Sequence, residues 1–193
     1  MRTPFMTAFA LAGWVCCGTA NAIDISVVSP IANVQIGDVV DVDLVVSGLG
    51  DGAAPSLGAY DVDLNFDAGV LSLVGVGFGA GLDIFDFGSI QTATPGPGTV
   101  NLYEVSLDSP EDLDASQPGS FSLATLTFQV LAGGTSALDL SVNAFADSMG
   151  ENLADNLLVN NGSVTAVPEP SSALLMLLGL LPVGLVARRF RRV

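Results

Sequence analysis

The chain contains no histidine and no lysine, and this absence removes most of the side chains on which catalysis depends. Ser–His and Cys–His pairs and lysine Schiff bases are unavailable. Zinc sites are disfavoured for the same reason. The two cysteines, Cys16 and Cys17, lie near the N-terminus, so the rest of the chain has no thiol for a disulfide. The sequence therefore predicts a protein that is not an enzyme and that takes its stability from burial.

Basic residues of any kind are scarce. All 20 acidic residues lie between Asp24 and Glu169, whereas the five arginines are Arg2 and four residues near the C-terminus. Residues 23 to 187 have a net charge of −20, because no basic residue lies among them. This charge excludes nucleic-acid binding, which requires cations against the phosphates, and it repels anionic lipid and polysaccharide. Neutral glycans, divalent cations and protein partners remain as ligands.

Residues 1 to 22 have the pattern of a signal peptide. Arg2 is followed by an apolar stretch from Phe5 to Cys17, and the small residues Ala20 and Ala22 form a signal-peptidase site. We expect cleavage after Ala22, and hence export. The alternatives are a buried N-terminal helix or a lipoprotein modified at a cysteine, although the bulky Trp14 makes a poor lipobox.

Residues 167 to 193 form a second apolar end. The run from Ser171 to Ala187 has 17 residues and includes Pro182, which is close to the lower limit of about 17 for a membrane-spanning helix. The residues that follow it include four arginines, which place the C-terminus in the cytoplasm by the positive-inside rule. These are Arg188, Arg189, Arg191 and Arg192. Both ends therefore predict that the acidic middle lies outside the inner membrane.

The order of these C-terminal features is specific. Val167, Pro168, Glu169 and Pro170 precede the apolar run, and the arginines end the chain. This arrangement resembles the PEP-CTERM sorting signal of Gram-negative bacteria. The resemblance implies recognition by an exosortase at the inner membrane, cutting near the Pro-Glu-Pro motif, and transfer to the cell surface or extracellular matrix. The alternative is an ordinary single-pass anchor with a stiff stalk.

Residues 23 to 166 show the two-residue alternation of half-buried β-strands. The pattern is clear at Val40 to Val46, Tyr60 to Phe66 and Ser122 to Val130, and turn-forming residues separate the segments. No amphipathic helix is predicted, and residues 152 to 158 form a helical turn at most. The prediction is a nine-stranded antiparallel β-sandwich of cohesin-like or jelly-roll type. Its strands are 24–28, 38–46, 58–66, 71–77, 88–93, 99–106, 120–131, 136–143 and 157–165.

The order of these segments resembles the cohesin domain. The resembling segments are Gly37 to Val42, Gly58 to Asp67, Val70 to Val74, Leu123 to Phe128, Phe145 to Asp147 and Asn161 to Val164. The resemblance implies non-catalytic binding of a dockerin-like protein partner on one sheet face, although no contact motif can be matched residue by residue. Cohesins are related in fold to carbohydrate-binding modules, so the alternative is a module that binds neutral polysaccharide.

Two pairs of carboxylates are candidates for catalytic groups. Asp41 with Asp43, and Asp61 with Asp63, each place two carboxylates on one outward strand face, about 7 Å apart. Paired carboxylates hydrolyse glycosides, which makes a glycosidase a weak further alternative. A solvated strand face has the same pattern and is the favoured interpretation.

A calcium site is the one cofactor that the sequence suggests. Asp108, Glu111, Asp112 and Asp114 lie in one predicted loop, and hard oxygen ligands suit calcium. Their spacing does not match an EF-hand, so an ordinary solvated loop is favoured.

Aromatic residues near Gly75 to Gly88 could stack against sugar. Phe78, Phe85 and Phe87 lie in this glycine-rich stretch, and Tyr103 lies on a predicted strand. Phenylalanine lacks the polar group of Tyr or Trp, so we expect these Phe side chains to pack in the core. Asn161 begins a glycosylation sequon, and we interpret it as a turn before the last strand.

Overall fold

The computed structural model describes residues 22–29 and 34–167. This part of the chain forms eleven strands, one short α-helix and one 3-10 turn. In chain order they are β1 (Ile23–Val28), β2 (Val34–Gln35), β3 (Val39–Ser47), β4 (Leu57–Asn65), β5 (Leu71–Phe78), β6 (Ser89–Gly96), β7 (Thr99–Ser106), α1 (Pro110–Ser116), β8 (Ser120–Val130), β9 (Gly134–Asp147), the 3-10 turn (Ala154–Asn156), β10 (Leu157–Asn160) and β11 (Gly162–Val167).

Two sheets form a sandwich, as predicted. The five-stranded sheet has the order β10-β1-β3-β8-β5, and the six-stranded sheet has the order β2-β11-β9-β4-β7-β6. Neighbouring strands are antiparallel except for two pairs, β1 with β10 and β2 with β11, which are parallel. The all-β sandwich predicted from alternation is therefore confirmed, with these two parallel pairs added.

The core lies between the sheets and is built from the alternating residues that the sequence indicates. The inward-facing Val42, Val46 and Val62 are completely buried. The rings of Phe66 and Phe128 meet edge to face with their centroids 5.0 Å apart, a favourable geometry for an aromatic pair. Because successive side chains of a strand point to opposite faces, the same alternation turns the polar residues of β3, β4 and β8 outward.

The prediction of nine strands is wrong in two places. β2 has only two residues, which is too short for alternation to show. The predicted strand 157–165 is two strands, because the chain leaves the five-stranded sheet after Asn160 and enters the six-stranded sheet at Gly162. Asn161 lies at this change of sheet, where its side chain accepts from the Leu140 amide at 3.0 Å. A Cβ on Gly162 would lie 2.9 Å from the Val27 carbonyl oxygen, so the close approach of the strands requires glycine.

The prediction of a loop from Asp108 to Asp114 is also wrong, since most of this segment is helix α1. Ser109 caps the helix, because its side chain accepts from the Asp112 amide at 3.2 Å, and Pro110 is the first helical residue. Leu113 is the one buried side chain of the helix. A helix of two turns with one buried residue shows no periodicity from which it could be predicted.

None of the described helices is long and apolar enough to span a membrane. The sequence-based predictions for both ends of the chain lie largely outside the described residues. These are the signal peptide up to Asn21, the motif residues Pro168, Glu169 and Pro170, the apolar run to Ala187 and the four arginines that follow it. Ala22 is the first described residue, and Val167 is the last residue of β11.

Candidate functional site

The outer face of the six-stranded sheet brings together polar side chains from three neighbouring strands. Alternation along β4 buries Tyr60, Val62 and Leu64 and turns Asp61 and Asp63 outward. Asn101 of β7 lies directly opposite Asp63. On the other side of β4, the register of β9 shifts between Asp61 and Val62. This β-bulge turns Asn143 towards the same two carboxylates.

We call Asp61, Asp63, Asn101 and Asn143 the Asp–Asn cluster. The amide nitrogen of Asn101 donates to Asp61 Oδ1 at 2.6 Å and to Asp63 Oδ1 at 3.0 Å. The amide nitrogen of Asn143 donates to Asp61 Oδ1 at 3.1 Å and to Asp63 Oδ2 at 2.8 Å. Each amide therefore bridges the two carboxylates, and no cation is needed to hold them together. Both amide groups are used inside the cluster, so it presents mainly hydrogen-bond acceptors and negative charge to a ligand.

Beside the cluster, along β7 towards its C-terminal end, the same face carries apolar side chains. Tyr103 lies opposite Asp61, and Ile90 lies opposite Val105. Leu107 lies two residues further along on the same side, and Ile90 and Leu107 are 53% and 55% exposed. Ile90, Tyr103, Val105 and Leu107 form what we call the apolar strip. An exposed apolar surface beside a polar group of fixed geometry is typical of a protein-binding surface.

The outer face of the five-stranded sheet differs from this arrangement. Asp41 and Asp43 point outward, as predicted, and each accepts one hydrogen bond from a threonine of β8, at 2.7 Å and 2.6 Å. Val28 lies opposite Asp43, and it is 50% exposed. Val39 lies two residues before Asp41 on the same face of β3, and it is 61% exposed. This face therefore also has carboxylates beside exposed apolar side chains, but among its described residues it has no exposed tyrosine and no pair of carboxylates bridged by amide groups.

A buried polar network lies beneath the apolar strip. Glu104 of β7 is completely buried, and its Oε1 accepts from Ser89 Oγ at 2.6 Å and from the Gln91 side chain at 2.9 Å. The Tyr60 hydroxyl lies 3.1 Å from Glu104 Oε2 and 3.3 Å from the carbonyl oxygen of Leu123. Burial raises the pKa of Tyr60 well above its ordinary value, and the Glu104 carboxylate raises it further. The network fixes β6 to β7 and to the core, so the strip rests on a rigid base.

The four candidate calcium ligands do not come together. Asp108 is buried and accepts from the Ile84 amide at 2.8 Å. Asp112 bonds to the capping Ser109, Asp114 accepts from Ser56 and Ser148, and Glu111 is exposed on α1. In residues 22–29 and 34–167, no three His, Cys, Asp or Glu side chains are arranged to hold a metal ion. Asp108, Asp112 and Asp114 instead serve as acceptors for the surrounding loops and helix.

The predicted burial of the phenylalanines holds for one of three. Phe78 packs against the core, but Phe85 and Phe87 are 44% and 67% exposed. The loop between β5 and β6 places Leu82 in the core instead. A Cβ on Gly81 would lie 2.0 Å from the ring of Phe121, so the loop packs closely at that point. The prediction that Phe85 and Phe87 lie in the core is therefore wrong.

Sequence reasoning found two of the four cluster residues. Asp61 and Asp63 follow from alternation, but Asn101 and Asn143 were not singled out. Asn101 is a polar residue between the buried Val100 and Leu102, and this alternation could have placed it on the outer face. The position of Asn143 depends on a bulge that no sequence pattern indicates.

Comparison with known proteins identifies the domain. The family model for the cohesin domain matches residues 25–166. The chain belongs to the cohesin family. No curated protein sequence matches it. Cohesins are non-catalytic binding modules, so the paired carboxylates lie on a binding domain rather than in an active site.

Solved cohesin structures share the fold at low sequence identity. One is a type I cohesin–dockerin complex from Clostridium thermocellum, with a TM-score of 0.59, 15% identity, and coverage of 76% of this chain and 100% of that one. Another is CaCohA2 from Clostridium acetobutylicum, with a TM-score of 0.56, 21% identity, and coverage of 77% and 92%. A non-cellulosomal cohesin from Archaeoglobus fulgidus gives a TM-score of 0.56 and 17% identity, with coverage of 78% and 96%. At these identities the likeness shows the fold.

Proposed function

We propose that this cohesin binds a dockerin-type protein module through the outer face of its six-stranded sheet. The observation that carries the proposal is the Asp–Asn cluster directly beside the apolar strip. Protein interfaces combine buried apolar anchors, among which tyrosine is enriched, with polar groups that fix orientation. The solved Clostridium thermocellum relative is itself in complex with a dockerin, which supports a partner of this class.

The chemistry of the face defines the partner. The cluster offers acceptors and negative charge, so the partner supplies donors such as lysine, arginine or side-chain hydroxyls. The strip requires apolar side chains beside those donors. Every described charge on this domain is negative, so attraction of a basic surface speeds association, and the association rate falls as salt is added.

A pair of matched double variants tests the docking face. Asp61→Asn with Asp63→Asn removes the two charges of the cluster while keeping the side-chain volumes. Asp41→Asn with Asp43→Asn does the same on the opposite sheet face. We expect the first variant to weaken dockerin binding about tenfold to hundredfold and the second to change it less than about threefold.

The measurement is isothermal titration calorimetry against purified dockerin modules encoded in the same genome. Thermal unfolding of each variant checks that it is folded. Equal weakening by the two variants would contradict the assignment of the face. If no dockerin module binds the wild-type protein, the proposed partner class is wrong.

The place of action is part of the same proposal. The signal-peptide pattern before Ile23 and the Pro-Glu-Pro tail after Val167 support export, recognition by an exosortase, and display on the cell surface or in the extracellular matrix. Mass spectrometry of the mature protein tests this. We expect an N-terminus at Ile23 and a C-terminus near Pro168 to Pro170, and recovery of the intact chain from the cytoplasm would contradict it.

Neutral polysaccharide is a second candidate ligand. The exposed rings of Phe85 and Phe87 favour it, because aromatic faces stack against sugar rings. A pull-down with neutral polysaccharides, using the wild-type protein and Phe85→Ala with Phe87→Ala, tests this alternative. Saturable binding that the double variant loses, together with no dockerin binding, would favour it over the protein partner.

A further inference from the structure

We propose that edge strand β6 pairs with β6 of a second copy of this chain, so that the two six-stranded sheets join into one. The surface involved is the free edge of the sheet. This edge adjoins the outer face assigned above to a dockerin-type partner and shares Ile90 with the apolar strip, but the inference does not depend on that assignment.

Of the four sheet edges in the described residues, β6 is the one that is both long and regular. β2 has two residues and β10 has four. β5 pairs with β8, and the register of this pair is irregular between Leu73 and Gly75. β6 has eight residues and pairs with β7 without a register shift.

β6 also lacks the features that usually protect an edge. Natural edge strands avoid pairing through lysines, bulges, inward charges or short length. The chain has no lysine, and no charged residue occurs from Phe87 to Tyr103. The side chains of Gln91 to Pro95 are exposed, so no described part of the chain covers the strand. Pro95 near the end of the strand is the one protective residue present.

The hydrogen-bond pattern of β7 shows which backbone groups of β6 are free. The Leu107 amide donates to the Gly88 carbonyl at 3.3 Å, so these two residues form a hydrogen-bonded pair of the antiparallel ladder. Such pairs alternate with pairs whose backbone groups point away. The residues that turn their backbone groups to the free edge are therefore Ser89, Gln91, Ala93 and Pro95. Pro95 agrees with this assignment, because proline in an edge strand is tolerated where its missing amide would face solvent.

The free backbone amides and carbonyls of one β6 edge can pair with those of a second, identical edge. By this alternation the amides of Ser89, Gln91 and Ala93 point away from β7, the one strand with which β6 pairs in residues 22–29 and 34–167. An antiparallel pairing of two copies centred on Gln91 or on Thr92 forms about six backbone hydrogen bonds. Either register also sets the exposed Ile90 against a threonine of the other copy. A twofold arrangement of this kind is the commonest symmetry of homo-oligomers.

The negative charge of the domain does not prevent this pairing. In the joined sheet, five strand intervals separate β4 of one copy from β4 of the other. At about 4.8 Å per interval this is about 24 Å between the two Asp–Asn clusters. The Debye length at physiological ionic strength is about 8 Å, so their repulsion is largely screened. An uncharged strand at the edge is thus the part of this acidic domain best suited to contact a second copy.

The test compares two variants of one residue in the purified full chain. Ala93→Pro removes an outward amide and adds a ring at the free edge, while leaving the bonds to β7 in place. Ala93→Val keeps the amide and is the matched control. Sedimentation velocity from about 1 μM to about 500 μM protein, at about 0.05 M and 0.5 M NaCl, measures the dimer dissociation constant.

We expect the wild type to form a dimer that tightens with salt. Ala93→Pro should weaken it about tenfold or more, and Ala93→Val should change it little. A wild type that stays monomeric throughout, or equal association of the two variants, would overturn the proposal.

Hydrogen exchange gives a second measurement that needs no variant. Concentrating the wild-type protein should protect the amides of Ser89, Gln91 and Ala93. A dimer without this protection uses another surface and refutes the assignment. If the protein stays monomeric and a foreign extended peptide protects these amides, the chain that pairs with the free edge of β6 is not a second copy.

Discussion

The buried tyrosine beneath the apolar strip predicts a specific loss of stability in alkali. The Tyr60 hydroxyl lies against the carboxylate of Glu104, and both side chains are buried. Its pKa is raised by burial and by that carboxylate. In the unfolded chain a tyrosine ionises at about pH 10, and above that pH ionisation favours the unfolded state. The stability is therefore fully present below about pH 10 and falls as the pH rises above it.

The size of this loss of stability follows from the release of one proton, that of the Tyr60 hydroxyl. The free energy of unfolding should fall by about 1.4 kcal/mol for each pH unit above 10, which gives about 1.4 kcal/mol at about pH 11 and about 2.7 kcal/mol at about pH 12. Tyr60→Phe removes this dependence. At neutral pH the same variant loses a hydrogen bond to a charged group, so we expect it to be about 1.5 to 3 kcal/mol less stable than the wild type.

Urea unfolding followed by circular dichroism at a series of pH values measures both effects. The chain has no lysine and only two tyrosines, so few groups titrate in this window. Tyr103→Phe is the control, because Tyr103 is partly exposed on the sheet face, and it should keep the alkaline loss of the wild type. If Tyr60→Phe loses stability above pH 10 as steeply as the wild type, or if tyrosinate absorbance in the folded protein shows two groups ionising near pH 10, the reasoning is wrong.

Two further substitutions test the core and the change of sheet. Phe128→Ala removes a completely buried ring that meets Phe66, and we expect a loss of about 3 to 5 kcal/mol in urea unfolding, whereas the exposed control Phe87→Ala should change stability by less than about 0.5 kcal/mol. Asn161→Ala removes the acceptor of the partly buried Leu140 amide, and it should cost about 1 to 3 kcal/mol, with Asn160→Ala as the control; an equal effect of the two asparagine variants would contradict the role of Asn161.

The strands predicted most clearly from the sequence are those that contain an alternating segment of five residues or more. In residues 40–44 of β3, 60–64 of β4 and 124–130 of β8, buried apolar residues alternate with polar ones, so the pattern gives both the strand and its inner face. The outward position of Asp61 and Asp63 follows directly from it. The family resemblance adds the order of the strands, which alternation alone does not supply.

The features that the sequence did not predict depend on contacts between distant residues. Within residues 157 to 165 the strongest turn-forming residues are Asn161 and Gly162. These two alone do not indicate that a strand ends, so the sequence favours a single strand. The change of sheet is stabilised by the contact with Leu140 and by the close approach to Val27. In the same way, Asn143 joins the Asp–Asn cluster only because β9 bulges opposite β4. Local propensity does not determine either feature.

The position of β11 has a mechanical consequence. This strand ends at Val167 and lies antiparallel to β9, which is itself paired with β4, where Asp61 and Asp63 lie. A tether that pulls on Val167 along the strand therefore loads the β11–β9 hydrogen bonds together, in shear, rather than opening them one after another. A ligand held on the outer face lies two strands from that pulling point, so tension passes between them through paired backbone without crossing the hydrophobic interior.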